Sequence, residues 1–125
     1  MVGVHASFTC TDETLEGAAA LAEFMNTGVH IHVAEGLDDK DAGARLQDLA
    51  NEKWLLIHAV HLDRDLPGTI VHNPRSNMNN SVGYANPVRF TNDVALGTDG
   101  MGADMLEEAR LAYVRLRESD VTQTP

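Results

Sequence analysis

Val29-His30-Ile31-His32-Val33-Ala34-Glu35 is the stretch on which the reading of the fold turns. Apolar β-branched residues alternate with two histidines over too few positions for a buried helix, so the run reads as a strand. Side chains two apart on a strand share a face, which sets His30 and His32 side by side. Upstream, Leu15, Ala18, Ala19, Ala22 and Met25 recur at helical spacing, with Thr11 or Asp12 able to cap the start and Gly28 to end it. Before that helix, Val2 to Phe8 is a second short apolar run. Strand, helix and strand make one β-α-β unit, the connection that lays two strands parallel.

Downstream, Leu55 to Val60, Thr69 to His72 and Val94 to Gly97 read as three further strands. Asp39 to Asn51 is a second, weaker helix. The last helix is the clearest, with Leu106, Ala109, Tyr113 and Leu116 on one face, Asp104 at the cap and Glu107 three residues later. This alternation predicts an α/β fold of parallel strands with helices packed outside, either an open doubly wound sheet or part of a barrel. Two links depart from it. His61 to Pro67 is too short for a crossover helix, and Asn73 to Asn92, polar and carrying Pro74 and Pro87, reads as a loop. Residues 1–125 are expected to form a single domain or a piece of one. Because the chain opens directly in a strand run, Met1 reads as a cut or an internal start.

The chain has 125 residues, 43% of them hydrophobic, enough to bury a core. Its 19 acidic against 9 basic residues give a formal charge of -10, which argues against nucleic acid and anionic membrane as partners. The single Cys10 has no internal disulfide partner, and no apolar run approaches the roughly 20 residues that cross a bilayer. A cytoplasmic location follows as an expectation.

All six histidines lie in strand runs or at their ends. One strand histidine alone is more often a satisfied core residue than a ligand, and Thr98-Asp99-Gly100 alone passes for a turn. Together they carry more weight. In a parallel α/β fold the C-terminal strand ends share one rim, so His5, His30 or His32, His58, His72 and Asp99 can converge there from five different strands. Imidazoles with one carboxylate and open positions suit a hydrolytic zinc or iron, which makes water a nucleophile near neutral pH while a carboxylate takes its proton.

Five motifs then occur in a telling order: Gly3-Val4-His5-Ala6-Ser7-Phe8-Thr9, His30-Ile31-His32-Val33-Ala34-Glu35, His58-Ala59-Val60-His61-Leu62, Val71-His72-Asn73-Pro74-Arg75-Ser76-Asn77-Met78-Asn79-Asn80 and Leu96-Gly97-Thr98-Asp99-Gly100. In that order they resemble strands 4 to 8 of the amidohydrolase superfamily, closest to its deaminase and chlorohydrolase branch and, within that, to aminohydrolases with an Asn-rich loop after strand 7. The resemblance covers nearly the whole chain. It implies part of a (β/α)8 TIM-type barrel of about five parallel strands, and a metal-dependent hydrolase that attacks C-N or C-halide bonds of a small, nitrogen-rich cyclic substrate. It also implies one divalent metal, zinc first and iron second, held by His32 and Asp99. His32 is preferred to His30 because Glu35 follows it by three, as in the family motif. By the same resemblance Glu35 handles protons on the substrate, His58 polarises the attacking water, Asp99 is the general base, and His5, Glu35, His72 and Asn77 contact substrate.

The chain departs from the family pattern in having no second His-x-His for the strand-1 half of the metal site, and nothing corresponding to the family's small β-sandwich. A five-stranded arc also leaves open edges, so a second copy or the parent's remaining segments are expected against it. A non-catalytic half-barrel that binds a partner or small molecule is the competing reading. A doubly wound nucleotide-binding domain is disfavoured because His5 to Thr11 contains no glycine for a phosphate loop.

Overall fold

The computed structural model describes residues 1–124. Five strands, β1 (Val2–Ala6), β2 (Val29–Val33), β3 (Leu55–His58), β4 (Thr69–His72) and β5 (Val94–Leu96), form one sheet in sequence order. Every neighbouring pair is parallel. The order and direction are those expected, and each strand ends at or within a few residues of its predicted limit.

Helix α1 (Asp12–Phe24) joins β1 to β2 and is capped by Thr11, whose hydroxyl accepts from the Thr14 amide at 3.3 Å. It buries Leu15 and Ala22. These pack on Val29, Ile31 and Val33 of β2, Leu56 of β3 and Ile70 of β4, with Leu46, Trp54, Leu62 and Leu66 completing one apolar cluster on the helix side of the sheet. Strand parity does the sorting: Val29, Ile31 and Val33 are buried while His30 is exposed and His32 half-buried. His30, His32, Leu55, Ile57 and Val71 look instead onto the concave face, where they line an open cleft of about 420 Å³.

The second helix is shorter than the spacing suggests. Only Ala42–Leu46 is α-helical (α2), after a 3-10 turn over Leu37–Asp39. Asp39 does not begin it, because its carboxylate is buried against β1 and β2. The expected loop between β4 and β5 contains a helix, α3 (Pro74–Asn79), begun by a proline at its first turn. Its polar residues are buried by tertiary partners: Glu108, fully enclosed, accepts from Arg75 Nε at 2.8 Å, and Ser76 and Asn77 reach toward the strand ends.

Helix α4 (Met105–Ser119) has the predicted cap, Asp104 accepting from the Glu107 amide at 3.0 Å. Its predicted apolar face is only partly covered. Leu116 is buried, but Leu106 is 82% exposed and Tyr113 is exposed. Ala109, Tyr113 and Leu116 line a groove against the outer side of β5, whose other wall is formed by Tyr84, Val88 and Phe90 of the segment between α3 and β5.

The crossing from β3 to β4 is made without a helix, ending at Gly68 (φ +129), where the backbone passes close to the Trp54 carbonyl. Gly28 is tighter still, since a Cβ there would fall inside contact distance of the Lys53 carbonyl carbon and oxygen. Gly28→Ala is therefore expected to lower stability by about 1–3 kcal/mol or more, because backbone must move to admit the methyl. Urea denaturation will check it; an unchanged midpoint would contradict this packing.

Candidate functional site

Strand ends are where the backbone leaves the regular ladder, and here it does so with left-handed residues that are not glycine. Ala34 (φ +48) follows β2, His58 (φ +72) and Ala59 (φ +52) close β3, and Asp99 (φ +51) follows β5. Such conformations persist only where surrounding contacts hold them, and they cluster at functional sites. Their effect is to turn side chains onto the rim. His58 shares parity with Leu56, yet its ring faces the rim, with Nε2 3.4 Å from Glu35 Oε2 and 3.7 Å from Asp99 Oδ2.

Glu35, His58 and Asp99 thus come together from three separate strand ends, their ligating atoms all within 4.8 Å of one another. The His58 ring stacks beside His32, centroids 5.4 Å apart, and His32 lies 5.6 Å from the ring of His5. His5, His32, Glu35 and Asp99 line one small cleft of about 180 Å³, together with Asn80.

Each member is held from behind. His5 sits at a register shift between Val4 and Ala6, a bulge opposite His32, and its carbonyl accepts from His32 Nδ1. That leaves His32 Nε2 as the free lone pair, the arrangement usual for a metal-binding imidazole. His58 Nδ1 lies 2.8 Å from Asn77 Oδ1. Asp99 accepts from the Ser76 hydroxyl at 2.6 Å and the Gly100 amide at 2.7 Å. The Ser76 hydrogen bond leads in holding its carboxyl below the usual aspartate range, with the Gly100 amide and the two neighbouring imidazoles assisting. Glu35 Oε1 accepts from Asn80 Nδ2 at 3.4 Å.

The donor set fits a divalent cation. His58 Nε2 is buried without a hydrogen-bond partner, two carboxylate oxygens face it, and His32 presents a bare nitrogen beside them.

Other histidines are placed differently. His72 does not reach the cleft: it shares parity with Ile70, so its ring points to the helix side, 1% exposed and edge-on to Tyr84. Asn77 is likewise buried beneath His58 and is not a wall of the cleft. His30 is exposed on the concave face, and His61 donates from Nε2 to the Val82 carbonyl at 2.9 Å.

Asp39 was not anticipated. Its buried carboxylate accepts from the Ser7 hydroxyl, from the Phe8 amide at 3.1 Å and from the Ala34 amide at 2.7 Å, tying the ends of β1 and β2 together under the cleft. In the sequence it reads only as an acidic residue at the start of an apparent helix.

Residues 1–123 match the profile of the amidohydrolase family, and the chain belongs to that family. It is 33% identical over 87% of its length to a 5-methylthioadenosine/S-adenosylhomocysteine deaminase of Syntrophomonas wolfei, and 37% identical over 90% to one of Pelotomaculum thermopropionicum. A 5'-deoxyadenosine deaminase of Methanobrevibacter smithii is 32% identical over 88%. Among solved structures, an adenosine deaminase from Xanthomonas campestris with bound zinc superposes with a TM-score of 0.80 and 27% identity over 94% of the chain. The matched part is 31%, 32%, 31% and 32% of those proteins, so the chain spans about a third of their length. The likeness agrees with the five parallel strands and outer helices as an arc of the (β/α)8 type. Among the described residues no helix is long and apolar enough to cross a membrane.

The position of His72 has a consequence for pH dependence. Burial, with smaller contributions from His58 and Arg115, pushes its imidazole from 6.5 down to about 4. The unfolded chain takes up this proton below about pH 6.5 and the folded chain does not until about pH 4. Stability present above pH 6.5 should therefore fall across that window, by roughly 3 kcal/mol at about 1.36 kcal/mol per pH unit. Denaturation midpoints of the native chain and His72→Phe between pH 7 and 4 will test it; parallel slopes would contradict the assignment.

Proposed function

We propose that this chain is the strand-4-to-8 part of the catalytic barrel of a metal-dependent aminohydrolase that replaces an amino group on a small nitrogen-rich ring with water. The convergence of Glu35, His58 and Asp99 on one rim beside His32 is the observation that supports it best. The relatives named as deaminases of adenosine and its 5'-modified forms favour an aminopurine substrate over a halide.

In this reading His32 Nε2 and Asp99 hold the cation, zinc in preference to iron, and the remaining ligands come from strand 1 of the whole barrel. When bound, the cation supplies the Lewis acidity that makes water a nucleophile near neutral pH. Asp99, kept ionised by Ser76, takes a proton from the attacking water. His58 orients that water through Nε2. Glu35, across the same volume, delivers a proton to the ring or to the departing nitrogen, and His5 contacts the substrate at the lip of the cleft. The open concave face and the free edges of β1 and β5 are covered by further segments of the same protein or by a second copy.

Two substitutions in the whole enzyme separate these roles. Asp99→Asn should abolish turnover and lower bound metal, since an amide neither balances the cation's charge nor accepts the proton. Glu35→Gln should retain metal and lose at least about 100-fold in rate, the usual contribution of a positioned acid or base. Metal analysis beside an aminopurine deamination assay decides between outcomes; near-normal rates in Glu35→Gln on every substrate turned over would remove its role.

A further inference from the structure

We infer that Asn77 is a positioning residue that holds His58 in the tautomer with its proton on Nδ1, so that a bare Nε2 faces the volume between Glu35 and Asp99. This rests on the site reading proposed above. His58 is fully buried and Asn77 is 2% exposed, so neither can exchange its partner for bulk water. His58 Nδ1 meets the Asn77 side-chain oxygen at 2.8 Å, and an amide oxygen only accepts. The proton must then reside on Nδ1, and the second nitrogen of a neutral imidazole carries a lone pair.

That lone pair has no hydrogen-bond partner. It points between Glu35 Oε2 at 3.4 Å and Asp99 Oδ2 at 3.7 Å, so three electron-pair donors face one volume. Such an arrangement repels itself until something positive or hydrogen-donating stands in the middle. The opposite tautomer would aim an N–H at the two carboxylates and close the same volume with hydrogen bonds. Asn77 thereby decides whether the centre is open to a cation and a polarised water or sealed against them.

The backbone fixes where the Asn77 side chain starts, and its amide stands with the oxygen toward Nδ1 and the nitrogen buried without a partner. Asn77 donates its N–H to the Asn73 carbonyl at 3.0 Å within α3, and its own carbonyl accepts from the Val82 amide at 3.1 Å. Turning the amide end for end would keep the shape and reverse the chemistry, presenting NH2 to Nδ1 and forcing the proton onto Nε2. Tautomer, not packing, therefore distinguishes this role from a filler in the core.

The test is long-range nitrogen-proton NMR on the chain labelled with 15N-histidine, in metal-free buffer at alkaline pH, with His58→Gln used only to assign the signals. The native chain should show a protonated Nδ1 and an unprotonated Nε2 at His58. Asn77→Asp, whose carboxylate can only accept, should keep that pattern, whereas Asn77→Leu should lose it and move proton occupancy to Nε2. A native His58 with its proton on Nε2, or a folded Asn77→Leu chain with the Nδ1 proton retained, overturns the inference. Should Asn77→Leu not fold, the native chain and Asn77→Asp still decide, since Nε2 protonation in either is fatal. Metal and substrate enter none of these readouts. The expected tautomer in a whole enzyme that neither binds zinc nor deaminates would uphold Asn77 and overturn the functional reading.

Discussion

Parallel strands joined in sequence order must all leave the sheet at the same rim, and this constraint organises the molecule. Each strand can therefore contribute one polar residue to a common place without disturbing the apolar residues it buries elsewhere. The apolar contribution lies on the helix side, where Val29, Ile31, Val33, Leu56 and Ile70 pack with α1. The polar contribution comes in the first residues beyond the ladder, where Glu35, His58 and Asp99 meet.

Bringing two carboxylates and two imidazoles so close requires that each be restrained singly. Four left-handed non-glycine residues turn the chain at the rim, a bulge at His5 offers a carbonyl to His32, and Ser76 and Gly100 occupy Asp99 from behind. Asp39 binds two of the strand ends from below through three hydrogen bonds. None of these groups needs to touch a substrate. Their common effect is to let the reactive atoms hold positions that mutual repulsion and solvation would otherwise scatter.

What was readable in advance follows from the range over which each feature is determined. Strand runs and their order are local patterns, so Val29 to Ala34 and Thr69 to His72 could be placed from composition and period alone. His32, Glu35 and Asp99 could be expected near one rim because their motifs follow one another in a fixed order. His58 was expected at the same rim, but the left-handed backbone at His58 and Ala59 that turns it there was not legible, since neither residue has a preference for it. Helix α3 escaped notice because its Asn and Ser residues favour loops by themselves, and the segment is held helical by tertiary contacts such as those of Arg75 with Glu108 and Ser76 with Asp99. The burial of His72, by contrast, was available from parity: two residues from Ile70, it had to share the helix side unless the backbone turned.

His58 and His72 occupy comparable places within one fold. Both end a strand, both follow a buried aliphatic residue by two positions, and both are almost fully enclosed. The left-handed turn at β3 carries one ring to the carboxylates. At β4 the next residue, Asn73, stays at negative φ (-115), and the other ring remains against Tyr84, where desolvation keeps it neutral to about pH 4. The difference in their chemistry is thus conformational before it is electrostatic. The ring turned to the rim presents its Nε2 to the volume between two carboxylates, whereas the ring left on the helix side packs edge-on against Tyr84.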